Sequence, residues 1–304
     1  MRLSYRIEVG FTPVSEFMAS LHTYICRKSH KKIDLSIAWA QETEGQLTPE
    51  LAAVLQNMNV DDDWKWMYLL VCLQVEAEEP EDFIEWFSQR TVPDLHDIFS
   101  RYSFPYTDDI AAFQTKMTYV LTGWNEQYFR LLDPAILQHL RQEVLNRKEQ
   151  LNQSPQKEVL DDATNGLMFR DMKGMDRLLL VPQFHFQPLN VILHFGDTLL
   201  CHYSSRLYMG DHEYIPTHHL RVIRSLGEKN RLKIMRFLHQ GPRSFIEIVR
   251  HLKLSKGITH DHLSKLRGAG LVYAHFEGES LVEYSLRLHA LEQILPNVMN
   301  YLEQ

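Results

Sequence analysis

The chain has 304 residues, enough for two domains at the usual roughly 100–200 residues each, and its 44% hydrophobic and 23% charged residues exclude wholesale disorder. No apolar run approaches the roughly 18–20 residues of a membrane span, the longest strong one being Met67 to Leu73. The net charge of −7 argues against a nucleic-acid partner, but residues 217–304 carry 13 basic and 8 acidic side chains, a balance of +5 that leaves −12 on the rest. An acidic body with a basic C-terminal module suggests two tasks, the basic one facing phosphates.

Met1 to Arg6 leads into alternating polar residues with no apolar signal core, so the expected location is the cytoplasm. Cys26, Cys72 and Cys201 are scattered and never spaced as a pair. They fit a reduced compartment and read as small buried hydrophobes. Leu3 to Val9 alternates like a short strand, and Pro13 to Asp162 reads mainly as helices. Thr48-Pro49-Glu50, Asp61-Asp62-Asp63, Pro80-Glu81-Asp82, Thr107-Asp108-Asp109 and Pro134 each open a helical segment, with a proline at the first position or negative charge where the helix dipole favours it. Gln150 to Gln156 reads as a loop or break. After Asn165-Gly166, four short apolar stretches (178–181, 183–187, 190–195 and 198–203), punctuated by Pro182, Pro188 and Gly196-Asp197, predict a small antiparallel sheet. Tyr208 to Pro216 is a polar connector.

Glu228 to Gln240 is helical, with Leu232, Met235 and Leu238 on one face, and Gly241-Pro242 stops it. Ser244 and Glu247 form a capping box, each able to satisfy a free N–H at a helix start. Phe245, Ile248, Val249 and Leu252 then make an amphipathic stripe. A tight break, Lys253-Leu254-Ser255, precedes a second helix to about Arg267, with Thr259, Leu263 and Leu266 inward and Gly268-Ala269-Gly270 at its end. Leu271 to Phe276 and Ser280 to Leu286 flank Glu277-Gly278-Glu279, a hairpin signal. A last helix carries Leu291, Ile294, Leu295, Val298 and Leu302, with a kink expected at Pro296. This element order is that of a winged helix-turn-helix, which places a recognition helix in the DNA major groove.

Ser225-Leu226-Gly227-Glu228-Lys229-Asn230-Arg231-Leu232-Lys233-Ile234-Met235 resembles the opening of ArsR-type regulators. Ser255, His262-Leu263, Leu266-Arg267 and Ala269-Gly270-Leu271-Val272 are similar to their recognition helix and its exit into the wing. The resemblance covers roughly 220–286. Val181 to Asn190 resembles a poorly characterised domain found upstream of such modules in Gram-positive bacteria, which brings no known ligand. ArsR metal sensors often carry a Cys-x-Cys pair on the helix before the recognition helix; here that helix, Phe245 to Leu252, has no cysteine, which excludes such a site. Asp261 stands where many members carry Arg, and Glu277 and Glu279 occupy a wing tip where basic residues are commoner.

The resulting expectation is a mainly α chain with small antiparallel β. Residues 1–215 form a helical sensing or partner domain with a small sheet, and 216–304 form an ArsR-like winged helix-turn-helix. Gly257, His260, Asp261 and Ser264 face away from the inward stripe and make the groove face, Ser255 opens the helix, and Lys253, Lys256, Lys265 and Arg267 are the phosphate candidates. The expected partners are double-stranded DNA, a second copy of the chain and an unidentified small-molecule effector, with no membrane role, metal or cofactor. His185, His194 and His202 lie on the expected sheet without a recognised ligand spacing. Trp64, Trp66, Trp86 and Trp124 read as core. No phosphate loop or hydrolase motif points to an enzyme. The competing reading is a winged helix used only for protein contact.

Overall fold

The computed structural model describes residues 4–74, 76–102, 109–208 and 215–303. It opens with β1 (Arg6–Val9), α1 (Pro13–Ile25), α2 (Ser36–Gln46), α3 (Pro49–Gln56), α4 (Asp62–Leu73), α5 (Pro80–Ser88) and α6 (Val92–Arg101). There follow α7 (Ile110–Gln127), α8 (Pro134–Gln153), α9 (Gln156–Thr164), β2 (Leu167–Phe169), β3 (Arg177–Gln183), β4 (Val191–Phe195) and β5 (Thr198–Ser204). The C-terminal region holds α10 (Thr217–Leu226), α11 (Lys229–Leu238), α12 (Phe245–Leu252), α13 (Lys256–Gly268), β6 (Val272–Glu277), β7 (Ser280–Leu286), α14 (Leu288–Glu292) and α15 (Ile294–Leu302). The chain is mainly helical with small mixed sheets, and two compact units account for it: residues 8–148 with 179–205, and residues 1–7, 149–178 and 206–304.

In the first unit, α1 is buried along its whole length and packs against α4 and α5. Prolines open α1, α3 and α5. Asp109 caps α7 by accepting from the Ala112 N–H at 2.8 Å; Thr107 and Asp108, read with it, lie outside the described residues. Trp64, Trp66 and Trp124 are buried, with Trp124 Nε1 donating to Ser20 Oγ at 2.9 Å, while Trp86 is half-buried. The four-stranded sheet has the order β1-β3-β5-β4, its β1 and β3 each beginning two residues before the bounds of this unit. The β4–β5 hairpin turns at Gly196, whose φ of 56° suits a residue without Cβ.

Of the stretch 183–187, expected as a strand, only Gln183 is one, as the last residue of β3, and 184–187 form a turn instead. The buried Glu16 carboxylate accepts from the Phe184 N–H at 3.1 Å and the His185 N–H at 3.0 Å. Gln183 Oε1 takes the Phe186 N–H. These side chains occupy the groups a ladder would need. His185 also bonds Glu16 through Nδ1, and its Nε2 lies 2.7 Å from Tyr128 Oη, which accepts from Trp39 Nε1. The segment Val181 to Asn190 therefore serves as an internal anchor. His185 sits in that turn, while the β4–β5 register sets His194 opposite Leu199 and His202 opposite Val191, so the three imidazoles are not gathered. Burial pushes His22 and His202 down to about 3.

The second unit is the C-terminal module joined by residues 149–178, a division different from the sequence boundary at 215/216. The reason is local. β2 pairs in parallel with β6, Leu167 opposite Ala274 and Phe169 opposite Phe276, adding a third strand to the wing. Asp161 of α9 accepts from Arg287 Nε at 2.8 Å and Tyr273 Oη at 3.1 Å, and lies 3.2 Å from His289 Nε2. Arg287, 8% exposed, also donates to Asn165 Oδ1 and the Gly270 carbonyl, both at 3.1 Å. The break expected over 150–156 narrows, because α8 runs to Gln153 and α9 starts at Gln156. The last helix is split at Gln293, with Pro296 in the first turn of α15, where its missing N–H costs nothing.

Candidate nucleic-acid interface

Ser244 Oγ accepts from the Glu247 N–H, and the Glu247 carboxylate accepts from the Ser244 N–H at 2.8 Å, which sets the start of α12. That helix buries Ile248 and half-buries Phe245, Val249 and Leu252. It ends at Lys253, whose left-handed φ of 56° turns the chain sharply. Two residues later Ser255 caps α13, accepting from the Ile258 N–H at 3.3 Å. The second helix of the pair therefore starts at a fixed angle to the first.

Thr259, Leu263 and Leu266 of α13 are buried, as the spacing predicts, and His262 joins them, its Nδ1 3.6 Å from Glu228. The opposite face exposes Lys256, Gly257, Ile258, His260, Asp261 and Lys265. A Cβ on Gly257 would meet nothing within 4 Å, so the backbone there is open to close approach. Lys265 Nζ donates to Asp261 Oδ2 at 2.7 Å, which supplies the neighbouring cation that a carboxylate on this face needs. Lys253 is exposed at the turn, and Ser264 is half-buried. Arg267 is half-buried with its guanidinium 5.7 Å from the centroid of the Phe276 ring, directed toward the wing.

The wing is the β6–β7 hairpin, turning at Gly278 with a φ of 58° and exposing Glu277 and Glu279. Sequence reasoning missed Arg243, whose backbone pairs with Tyr284 of β7 in both directions at 2.8 Å. Its guanidinium lies 4.9 Å from the centroid of the Phe237 ring. It also missed Arg221 of α10, which donates to the Gly268 carbonyl at the end of α13. Neither carries a local signal, because both depend on partners distant in sequence. Among the described residues no group of three or more His, Cys, Asp or Glu side chains is placed to hold a metal, and no helix is long and apolar enough to cross a membrane.

A capped helix pair, a short turn and a hairpin on one small core define a winged helix-turn-helix. Residues 228–274 match the family model described as "Bacterial regulatory protein, arsR family". The C-terminal module thus carries the ArsR-type helix-turn-helix of a DNA-binding transcription regulator. No curated protein and no solved structure matches the chain.

Proposed function

We propose that the chain is a cytoplasmic, non-enzymatic repressor that reads double-stranded DNA as a homodimer and answers to an effector or partner through its N-terminal unit. The observation that supports this best is the exposed face of α13, on a segment that matches the ArsR model. His260 can donate to a base edge, and Asp261, already tied to Lys265, can accept from a cytosine amino group. Lys253, at the turn after α12, and Lys256, the first residue of α13, are exposed and can meet phosphates near the helix start, where the helix dipole also favours negative charge. The homodimer reading draws on Leu288, Leu295, Met299 and Leu302, which are 45–68% exposed on α14 and α15. Paired copies would bind half-sites about 10 bp apart or a multiple of it. Control by the N-terminal unit would act through residues 208–220, of which 209–214 lie outside the described residues.

The test is selection of genomic fragments by the purified chain. Enrichment of a two-fold symmetric motif upstream of genes supports the reading; recovery of random fragments removes it. A second reading, a winged helix for protein contact, is favoured by Ile258, 51% exposed on α13, and by the acidic wing tip. It predicts DNA binding without sequence preference or none.

A further inference from the structure

The C-terminal unit holds a cavity of about 640 Å³, within the size of ordinary small-molecule sites. Its walls come from α9, α10, the wing base, α14 and α15. One side is apolar, formed by Ile223 of α10 with Ile294 and Val298 of α15. The other is polar, and most of its charges are already matched. Asp161 is occupied by Arg287, Tyr273 and His289, and Asp162 lies 3.6 Å from Arg206. Only Glu158, an exposed carboxylate at the rim, has no matched cation among the described residues.

His218 and His219, in the first turn of α10, also line the cavity. The buried Nδ1 of His219 has no hydrogen-bond partner among the described residues. Burial keeps His218 neutral, pushing it down to about 3, and the guanidiniums of Arg206, Arg221 and Arg287 push the same way. Burial also lowers His219. An imidazole N–H held in a positive local field suits an anionic acceptor. An ammonium head group would find the cavity carboxylates taken, apart from Glu158.

We propose that this cavity binds a small amphipathic carboxylate, with its head group on His218 and His219 and its apolar body against Ile223, Ile294 and Val298, and that occupancy changes DNA affinity. The second half rests on the regulator reading above. Coupling is short-range: Ala269, directly after α13, lines the cavity, and Arg221 of α10 holds the Gly268 carbonyl at 3.4 Å. A ligand that shifts α10 or α15 therefore acts on the end of the recognition helix, and by linkage DNA acts equally on ligand affinity.

The experiment is calorimetric titration of the full chain with octanoate, octanol and octylamine. Octanoate should bind saturably, once per chain, and tighter than the other two by about tenfold or more. Val298→Trp, which fills the apolar side, should abolish binding, with Ile294→Trp as a second filling variant if the first fails to fold. His218→Leu should leave octanoate and octanol binding alike. Saturating octanoate should change the affinity for the selected DNA by about fivefold or more in the parent and not in the filled variant. No octanoate binding, or binding untouched by both filled variants, overturns the site; preference for octylamine or octanol overturns its head-group assignment. Ligand binding with unchanged DNA affinity overturns the regulatory half. Failure to bind any DNA sinks the regulator reading alone, because the calorimetric arm does not involve DNA.

Discussion

Replacing Gly270 by alanine probes how the exit of the recognition helix is locked. Gly270 has a φ of 66°, and a Cβ there would lie 2.0 Å from Asn165 Oδ1 and 2.4 Å from its Cγ. The left-handed conformation alone costs a non-glycine residue about 1–2 kcal/mol. Asn165 must also move, and its Oδ1 then leaves Arg287, which is buried; losing a hydrogen bond to a charged group costs about 1.5–3 kcal/mol. The expected total is about 3–5 kcal/mol. The tryptophans, at 39, 64, 66, 86 and 124, all lie in the other unit, so their fluorescence is blind to this change. Hydrogen exchange of the wing amides, residues 271–286, reads it directly. Asn165 itself has a φ of 57°, so Asn165→Gly is conformationally tolerated and removes the obstructing side chain. In that background Gly270→Ala should cost only the conformational part, about 1–2 kcal/mol. Equal costs in the two backgrounds would show that the Asn165 side chain does not oppose a Cβ at position 270.

Asp161→Asn keeps the shape but removes the charge facing Arg287, so the C-terminal unit should lose about 3–5 kcal/mol by wing-amide exchange, and a fragment starting at residue 216 should open still more readily than one starting at 149. His22 and His202 titrate near 3 when folded and near 6.5 when unfolded, so below that upper value the unfolded chain takes up more protons. Their contribution is complete above pH 6.5 and falls by about 1.4 kcal/mol per pH unit for each imidazole on the way down to 3, an effect that urea unfolding followed by tryptophan fluorescence at pH 7 and 5 will show and that His202→Phe should roughly halve. Leu295→Glu with Leu302→Glu places charge on the outward face of α15 and should convert a dimer to monomer by light scattering at tens of micromolar, whereas a parent that is already monomeric removes the dimer.

What the sequence revealed was local. The Ser244–Glu247 box, the Thr259, Leu263 and Leu266 stripe and the β6–β7 hairpin all depend on residues a few positions apart, and each forms as the spacing predicts. The match over 228–274 adds to this, since the same short-range pattern is what a family model records. What stayed hidden was long-range. Phe184 and Phe186 alternate like a strand, but a carboxylate 168 residues away, that of Glu16, takes the N–H of Phe184 and makes a turn. The strand Leu167–Phe169 is too short to read alone and exists because β6 gives it a partner. Arg287 looks like an ordinary residue after the wing until Asp161, 126 positions earlier, meets it. The apolar residues of the last helix divide into two sets: Ile294 and Val298 line the cavity, while Leu295 and Leu302 are exposed. On α13 the sequence supplied the exposed face but not the Asp261–Lys265 pair, which removes Lys265 from the set of unengaged phosphate candidates.

The central claim, that α13 reads DNA, is tested most directly by the salt dependence of binding to the selected fragment and to a random duplex, with Lys256→Ala and His260→Ala beside the parent. A steep linear fall of log affinity with log salt is expected, because phosphate contacts release counterions. Lys256→Ala should weaken both duplexes alike and reduce the slope by about one. His260→Ala should keep the slope and relax preference at one base pair, at a cost of about 1–3 kcal/mol. Variants that bind both duplexes as the parent does, with the same slope, would contradict it.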